Sequence, residues 1–248
     1  MREQQQSAYV LHRRNYSETS LLLEVYTRRH GRLGLLAKGA RRPSSRLRGL
    51  LVPFQPLLIG WSGRGELMVL TGAEADGAAV ELAGRALYCG FYLNELLVRL
   101  LHRQDPHEAL YDRYAAALAG LREAAREEEV LRVFEKHLLR EIGYGLMLER
   151  ESGDQPIVPD ALYDYLPERG PVRVRHPELG ARVQGVRVRG ASLLALAAER
   201  FDDPGSLREI KALTRAALAP HLGNRPLHSR RLFLQRAPGI APLAEEGA

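Results

Sequence analysis

Short apolar runs separated by turn residues dominate the first third of the chain. Five such runs are rich in β-forming residues and lie at residues 9–12, 19–27, 32–39, 55–61 and 66–73. The long connection at residues 40–48 combines Pro, Ser and Arg, which disfavours both helix and strand. Five short strands with a long loop between the third and the fourth predict a small closed barrel of the OB type.

A helical period replaces this pattern from residue 78 onward. Helices are predicted at residues 85–101, 127–142, 192–200 and 206–219. Asp105 and Pro106 indicate the beginning of one more helix, which runs to about residue 125. Pro220 is expected to end the last helix because proline lacks a backbone N–H.

The region between the helices differs from both patterns. Residues 152–190 are rich in Gly and Pro and predict an irregular insert with a small hairpin. The predicted fold class is therefore α+β. A five-stranded barrel occupies residues 1–78, and a mainly α-helical domain that contains the insert occupies residues 79–248.

The net charge of +6 is concentrated in the first third of the chain. Residues 1–72 hold twelve Arg or Lys and four Asp or Glu, whereas residues 73–248 hold twenty-four and twenty-six. The stretch 28–48 has no acid and eight basic residues: Arg28, Arg29, Arg32, Lys38, Arg41, Arg42, Arg46 and Arg48. Because a solvated face usually mixes both signs, this stretch indicates a polyanion partner, and nucleic acid is favoured over an anionic membrane or simple solubility.

The single cysteine excludes several classes of site. Cys89 alone cannot form an internal disulfide or a cysteine cluster for zinc or iron–sulfur, and its apolar surroundings predict a buried, inert thiol. No stretch reaches the ~18–20 apolar residues of a transmembrane helix. Residues 1–7 lack the apolar core of a secretory signal, so a cytoplasmic protein is expected.

Several motifs, in this order along the chain, resemble the bacterial recombination mediator family RecO. They include Tyr16-Ser17-Glu18-Thr19-Ser20, Ala37-Lys38-Gly39-Ala40-Arg41-Arg42, Tyr92-Leu93-Asn94-Glu95-Leu96-Leu97 and Pro226-Leu227-His228-Ser229-Arg230-Arg231. Similar residues also occur at 9–12, 53–57, 105–107 and 134–144. The resemblance therefore extends over nearly the whole chain.

This resemblance implies an OB-fold followed by a helical domain, with no catalytic activity and no cofactor. It also implies binding of single-stranded and double-stranded DNA, and annealing of strands coated with single-strand-binding protein. Action at the nucleoid with RecR, and loading of RecA, would follow. Many members carry zinc-binding cysteines after a Gly-Tyr-Gly segment. Here residues 148–152 contain none, so no metal is expected.

The basic stretch is the first candidate site. Arginine offers a planar fork for phosphate oxygens, and such contacts carry little sequence information. Lys38, Arg41, Arg42, Arg46 and Arg48 are the principal predicted phosphate contacts, and Arg28 and Arg29 are secondary. The aromatic residues Tyr16, Tyr26, Phe54 and Trp61 could stack on bases, but packing in the barrel core is at least twice as common for such positions.

A stripe of cations on the predicted helix 127–142 is the second candidate site. Arg132, Lys136 and Arg140 recur at helical spacing beside the apolar Leu131 and Phe134. An acidic tail that ends in an aromatic residue needs an apolar pocket with a cationic rim, and the resembled family docks the tail of single-strand-binding protein on its helical domain. The alternative is an ordinary surface pair of Glu128 with Arg132.

A second basic segment and a set of carboxylates complete the candidates. Arg225, His228, Arg230 and Arg231 form either another phosphate-binding patch or charges that complement a helix dipole. The carboxylates that a metal-dependent nuclease would need are Asp154, Asp160, Asp164, Asp202 and Asp203, for which turn and capping roles suffice. A phosphate-binding loop is excluded because none of the three lysines lies in the required motif. A non-catalytic scaffold that binds an acidic protein remains an alternative.

Overall fold

A computed structural model describes residues 2–123, 125–175 and 185–229 of the chain. The chain divides into two compact units, one that spans Met1–Ala124 with the segment from Asn224, and one that spans Ala125–Gly223. The last barrel strand ends near the predicted boundary at residue 78. That a domain boundary lies at this residue stays a prediction.

The first unit begins with a closed five-stranded barrel. Its strands are β1 (Arg2–Asn15), β2 (Leu21–Thr27), β3 (Gly31–Ala37), β4 (Pro56–Ser62) and β5 (Leu67–Ala75), with the short helix α1 (Leu47–Leu50) between β3 and β4. The strands pair in the order β1-β2-β3-β5-β4, and β1 also pairs with β4. Only β3 and β5 are parallel. This arrangement is an OB-fold, as predicted.

Alternating burial along the strands builds the barrel core. In β2 the side chains of Leu21, Leu23 and Val25 point inward, and β3 buries Leu33 and Leu35. β1 is much longer than the predicted residues 9–12 because it pairs with two partners, β2 and β4. Register shifts within β1 let one continuous strand bend around the barrel.

Two helices follow in the same unit, α2 (Gly84–Leu100) and α3 (Glu108–Gly120). Asn94 on α2 donates a hydrogen bond to the carbonyl of Leu11 at 2.9 Å and accepts one from the hydroxyl of Tyr114 at 2.6 Å. This buried network joins the barrel, α2 and α3. Cys89 is 1% exposed, which confirms the predicted buried thiol.

The beginning of α3 differs from the prediction. The helix begins at Glu108 after the cap residue His107, rather than at Pro106. The preceding segment runs beside β3, where the backbone N–H of Gln104 donates to the carbonyl of Arg32 at 2.9 Å. This non-local pairing holds the chain extended, so the local signal of Asp105 and Pro106 does not decide where the helix begins.

The second unit combines three helices and a small sheet. Its elements are α4 (Glu127–Glu141), β6 (Leu162–Leu166), β7 (Gly170–Arg173), β8 (Val186–Arg189), α5 (Gly190–Ala198) and α6 (Pro204–Leu222). Residues 162–189 contain the antiparallel sheet β7-β6-β8 where one hairpin was predicted. Tyrosine hydroxyls of this sheet bind neighbouring backbone. The hydroxyl of Tyr163 accepts a hydrogen bond from the N–H of Val158, and the hydroxyl of Tyr165 accepts one from the N–H of Met147.

The last helix corrects one prediction and confirms another. Pro220 lies inside α6, which continues to Leu222, so Pro220 does not end the helix. Asp203 caps the beginning of α6 and accepts hydrogen bonds from the N–H groups of Gly205 and Ser206 at 2.9 and 3.0 Å. These bonds lower the pKa of Asp203 well below its usual range, together with a hydrogen bond from Arg189. The predicted capping role is confirmed.

Candidate nucleic-acid interface

Three strands meet the basic loop at one end of the barrel. The last residue of β1, Asn15, pairs with the first residue of β2, Leu21, which pairs in turn with the last residue of β3, Ala37. The segment that carries the principal predicted phosphate contacts is residues 38–48, which we call the basic loop. It leaves β3 at this point and ends in the first turn of α1. The fold therefore places the loop next to the end of β1.

A depression of about 510 Å³ lies at this end of the barrel. It is lined by Arg13, Arg14, Asn15, Leu21, Ala40, Arg41 and Arg48. Four of these seven residues are arginines, and among the described residues of the chain none of the four has a carboxylate oxygen within 4.0 Å. Their positive charges are therefore not neutralised locally, and the concave surface concentrates a positive potential. We call this surface the arginine depression.

Hydrogen bonds hold the depression in shape. Arg41 donates from its guanidinium to the carbonyl of Ser17 at 2.6 Å and from its backbone N–H to the carbonyl of Thr19 at 2.9 Å. Arg13 donates to the carbonyl of Leu51 at 3.1 Å. The Arg41 bonds attach the basic loop to the β1–β2 turn, and the Arg13 bond attaches β1 to the residue after α1. The cations are thus placed by backbone that is itself fixed, which reduces the entropy lost on binding.

The other predicted contacts in this loop lie beside the depression. Lys38, Arg42 and Arg46 are exposed, and Arg48 is exposed as well as part of the lining. The structure therefore brings all five principal predicted cations to one end of the barrel. It adds Arg13 and Arg14, which sequence reasoning missed. The sequence signal that could have indicated them is an adjacent arginine pair just before the turn residues Asn15 and Tyr16.

Arg28, Arg29 and Arg32 lie at the opposite end of the β2–β3 hairpin, where Thr27 pairs with Gly31. Seven residues of strand separate the two ends, which is about 20 Å. The basic residues of the stretch 28–48 therefore lie at two separate ends of the hairpin. Arg29 is exposed but stands apart from the depression.

Carboxylates neutralise two of these three arginines. Arg28 contacts Glu108 at 2.5 Å and Asp112 at 2.9 Å, and its hydrogen bond lowers the pKa of Asp112. Arg32 pairs with Glu24 at 3.0 Å. Burial lowers the pKa of Arg32 against the opposing effect of Glu24. Both guanidinium groups are therefore already paired with carboxylates and are not free phosphate ligands.

The aromatic residues divide sharply by exposure. Tyr26, Phe54 and Trp61 are 0%, 5% and 1% exposed, which confirms that they pack in the core. Tyr16 is 60% exposed and directly follows Asn15 of the arginine depression. Only Tyr16 of the four thus presents its ring to solvent.

The cationic stripe on α4 does not form the expected rim. Arg132 is 3% exposed, and its guanidinium donates to Glu135 at 2.8 Å and to the hydroxyl of Thr214 at 3.2 Å. Lys136 donates to the carbonyls of Leu196 and Ala197 at 3.2 and 3.3 Å. These two cations point into the unit because backbone carbonyls and a buried carboxylate attract them.

Of the other predicted residues of the α4 site, one is exposed and two are buried. Arg140 has a side chain that is 63% exposed and lies 3.8 Å from Glu141. Leu131 and Phe134 are 8% and 1% exposed, so they belong to the core. The alternative of a Glu128–Arg132 surface pair is also wrong, since Arg132 is buried. Docking of a tail on this helix stays a prediction.

The second basic segment is only partly described. Arg230 and Arg231 lie outside the described residues. Arg225 and His228 are exposed, and the backbone N–H groups of His228 and Ser229 donate to Glu95, each at 2.9 Å. Burial acts to raise the pKa of Glu95, but these hydrogen bonds outweigh it and lower the pKa. The segment is therefore anchored to α2 at residues 228 and 229.

Three of the five candidate nuclease carboxylates have other partners in the fold. Asp164 pairs with Arg187 at 2.9 Å, Asp203 caps α6, and Asp154 lies 3.3 Å from Arg150. Within residues 2–123, 125–175 and 185–229, no three His, Cys, Asp or Glu side chains gather closely enough to hold a metal ion. Among the same residues, no helix has the length and apolar character needed to cross a membrane.

Comparison with known proteins adds the family. Residues 1–77 match the model "Recombination protein O N terminal", and residues 82–231 match "Recombination protein O C terminal". The chain is 51% identical over 234 residues to the DNA repair protein RecO of Nitrosococcus oceani, which covers 94% of each chain. It is 50% identical over 231 residues to the DNA repair protein RecO of Dechloromonas aromatica, which covers 92% of this chain and 94% of the relative.

The fold and the site define the class first. An OB-fold with an uncompensated basic end, followed by a helical region, is typical of proteins that handle nucleic acid. The two matching models together cover nearly the whole chain, and the curated relatives agree with them. The chain belongs to the RecO family of DNA repair proteins.

Proposed function

We propose that this protein acts in DNA repair as a recombination mediator that grips DNA phosphates at the arginine depression. The observation that supports this most directly is the lining itself, with four arginines that have no carboxylate nearby among the described residues. Arginine forks donate hydrogen bonds to phosphate oxygens whatever the base sequence, so the site binds single-stranded and double-stranded DNA without reading bases in the grooves.

The mediator activity is proposed from the family. The protein anneals complementary strands coated with single-strand-binding protein and, with RecR, helps to load RecA. It does so in the cytoplasm at the nucleoid, without ATP, cofactor or catalysis. Release of counterions from phosphate provides the free energy of binding, and base pairing between the strands provides that of annealing.

Two strands must be held close together for annealing. The arginine depression is proposed as the first contact, within the barrel domain of residues 1–78. The segment that includes Arg225, His228, Arg230 and Arg231 is proposed as the second, within the helical domain of residues 79–248. Arg29 is proposed as a minor contact, whereas Arg28 and Arg32 are not, because acids already neutralise them.

Annealing of two labelled complementary strands tests the proposal. The measurement is made with and without single-strand-binding protein, and without nucleotide. We expect faster annealing with the protein and a slower rate for the Arg41→Ala/Arg42→Ala/Arg46→Ala variant. Magnesium-dependent cleavage of a strand would instead indicate a nuclease. If the protein leaves the annealing rate unchanged but binds an acidic protein, it acts instead as a non-catalytic scaffold.

Recognition of the tail of single-strand-binding protein is proposed for the helical domain, around α4. Arg140 is the cation of α4 that the structure leaves exposed, whereas Leu131 and Phe134 are buried in the core. Arg132 and Lys136 would contribute only after they exchange their present partners. We expect Arg140→Ala to weaken binding of a tail peptide while DNA affinity stays unchanged.

The variant Arg132→Ala is a poor test of this contact. It would break the buried Arg132–Glu135 ion pair, in which Glu135 is 0% exposed, at a cost of about 3–5 kcal/mol. Loss of both tail and DNA binding in that variant would therefore report unfolding. Tail affinity that is the same for Arg140→Ala and the unmodified protein would contradict the proposed contact.

A further inference from the structure

An exposed aromatic ring stands beside the arginine depression. Tyr16 belongs to the turn between β1 and β2 and is 60% exposed. It is next in sequence to Asn15, which lines the depression, and consecutive Cα atoms lie 3.8 Å apart. A ligand that fills the depression is thus within reach of the ring.

The backbone that carries this ring is held in place. The N–H of Tyr16 donates to the carbonyl of Ser20 at 3.2 Å, and the N–H of Ser20 donates to the hydroxyl of Ser17 at 3.2 Å. Arg41 then bonds the carbonyls of Ser17 and Thr19. One arginine of the depression therefore fixes the turn that presents the tyrosine, and the ring and the phosphate site are positioned together.

We propose that Tyr16 stacks on an unpaired base of the strand whose phosphates occupy the arginine depression. This inference rests on the proposed function and deepens it, because it gives the site a preference for single strands. Phosphates are exposed in single strands and duplexes alike, so the arginines bind both. The faces of bases are covered in a duplex, so the ring has a partner only in a single strand.

The charge around the turn supports separate binding of phosphates by the arginines and of a base by Tyr16. Glu18, two residues from Tyr16, is exposed. A carboxylate at this position repels phosphate and directs the backbone of the strand toward Arg13, Arg14 and Arg41. An uncharged base is not repelled in this way. The turn is therefore suited to bind a base rather than a phosphate.

Binding of a labelled oligothymidylate and of a labelled duplex of equal length tests the proposal. We expect Tyr16→Ala to raise the Kd for the single strand by about 5- to 140-fold, which is the range for one stacked base of about 1–3 kcal/mol. The Kd for the duplex and the salt dependence of both should stay unchanged, because no cation is removed. Tyr16→Phe should keep the affinity of the unmodified protein.

Tyr144→Ala is the matched control, since Tyr144 is 58% exposed and lies in the other compact unit. Tyr16→Trp gives a second readout. The one natural tryptophan, Trp61, is 1% exposed, so fluorescence of the new indole should be quenched by the single strand and not by the duplex.

Two results would overturn the inference while the proposed function stands. One is equal single-strand affinity for Tyr16→Ala and the unmodified protein. The other is an equal loss for single strand and duplex, which would show a role in folding or in the phosphate path. If the unmodified protein bound neither form of DNA, the proposed function itself would fail, and the inference with it.

Discussion

The salt dependence of DNA binding is the sharpest consequence of the arginine depression. We consider the replacement of Arg41, Arg42 and Arg46 by alanine. Each exposed cation that contacts a phosphate releases counterions, and this makes the logarithm of the binding constant fall linearly with the logarithm of the salt concentration. The number of cations at the barrel end therefore sets the slope.

The structure fixes that number. Arg13, Arg14, Arg41 and Arg48 line the depression, and Lys38, Arg42 and Arg46 are exposed beside it. Seven contacts at about −0.7 each predict a slope of about −5 for single strands, and four contacts predict about −3. From about 50 to 200 mM salt, affinity should fall about 1,000-fold for the unmodified protein and about 50-fold for the variant.

Fluorescence anisotropy with a labelled single strand at several salt concentrations measures both slopes. The control variant Arg64→Ala/Arg122→Ala/Arg208→Ala removes the same charge from exposed positions outside the depression. It should keep the steep slope. Equal slopes for the two triple variants would refute the reasoning, because they would show that net charge alone governs binding. Loss of the Arg41–Ser17 bond costs only about 0.5–1.5 kcal/mol, so both variants should fold.

Three further predictions concern stability. Gly31→Ala should destabilise the protein strongly, because φ is +65° and the new Cβ would lie 2.0 Å from the carbonyl oxygen of Asp105; thermal unfolding measures this. Tyr114→Phe should lower the free energy of unfolding in urea by about 1–3 kcal/mol, since the buried Asn94 loses its donor. Burial raises the pKa of Tyr165 from its usual value of 10.0 to about 12. The neutral phenol therefore stabilises the fold fully below pH 10, and this stabilisation is lost as the pH rises through about 12.

Each of these has its own control. Gly65 has φ +84° and no atom within 4 Å of an added Cβ, so Gly65→Ala should cost less than Gly31→Ala; an equal cost would remove the steric argument. Tyr114→Phe with unchanged stability would mean that water replaces the lost donor. For the pH effect, Tyr165→Phe should lose less stability than the unmodified protein between pH 9 and pH 12, and identical losses would contradict the assignment.

The local pattern of the sequence was enough for the barrel strands and the fold class. The runs of apolar residues predicted all five barrel strands, because alternation along a strand needs only neighbouring residues to define a buried face. The cap of α6 at Asp203 was likewise local, since its side chain reaches N–H groups two and three residues away. The acid-free composition of the basic loop also pointed to a polyanion before any geometry was known.

Tertiary structure alone decided which cations are free. Arg28 meets Glu108 and Asp112, which are 80 and 84 residues away in sequence, so no local count of charge could reveal its neutralisation. Arg13 joins the depression because the register of β1 with β2 and of β2 with β3 brings their ends together. Arg132 has the spacing of a surface residue but is drawn inward by Glu135 and Thr214. Charge acts through space, and only the folded chain sets those distances.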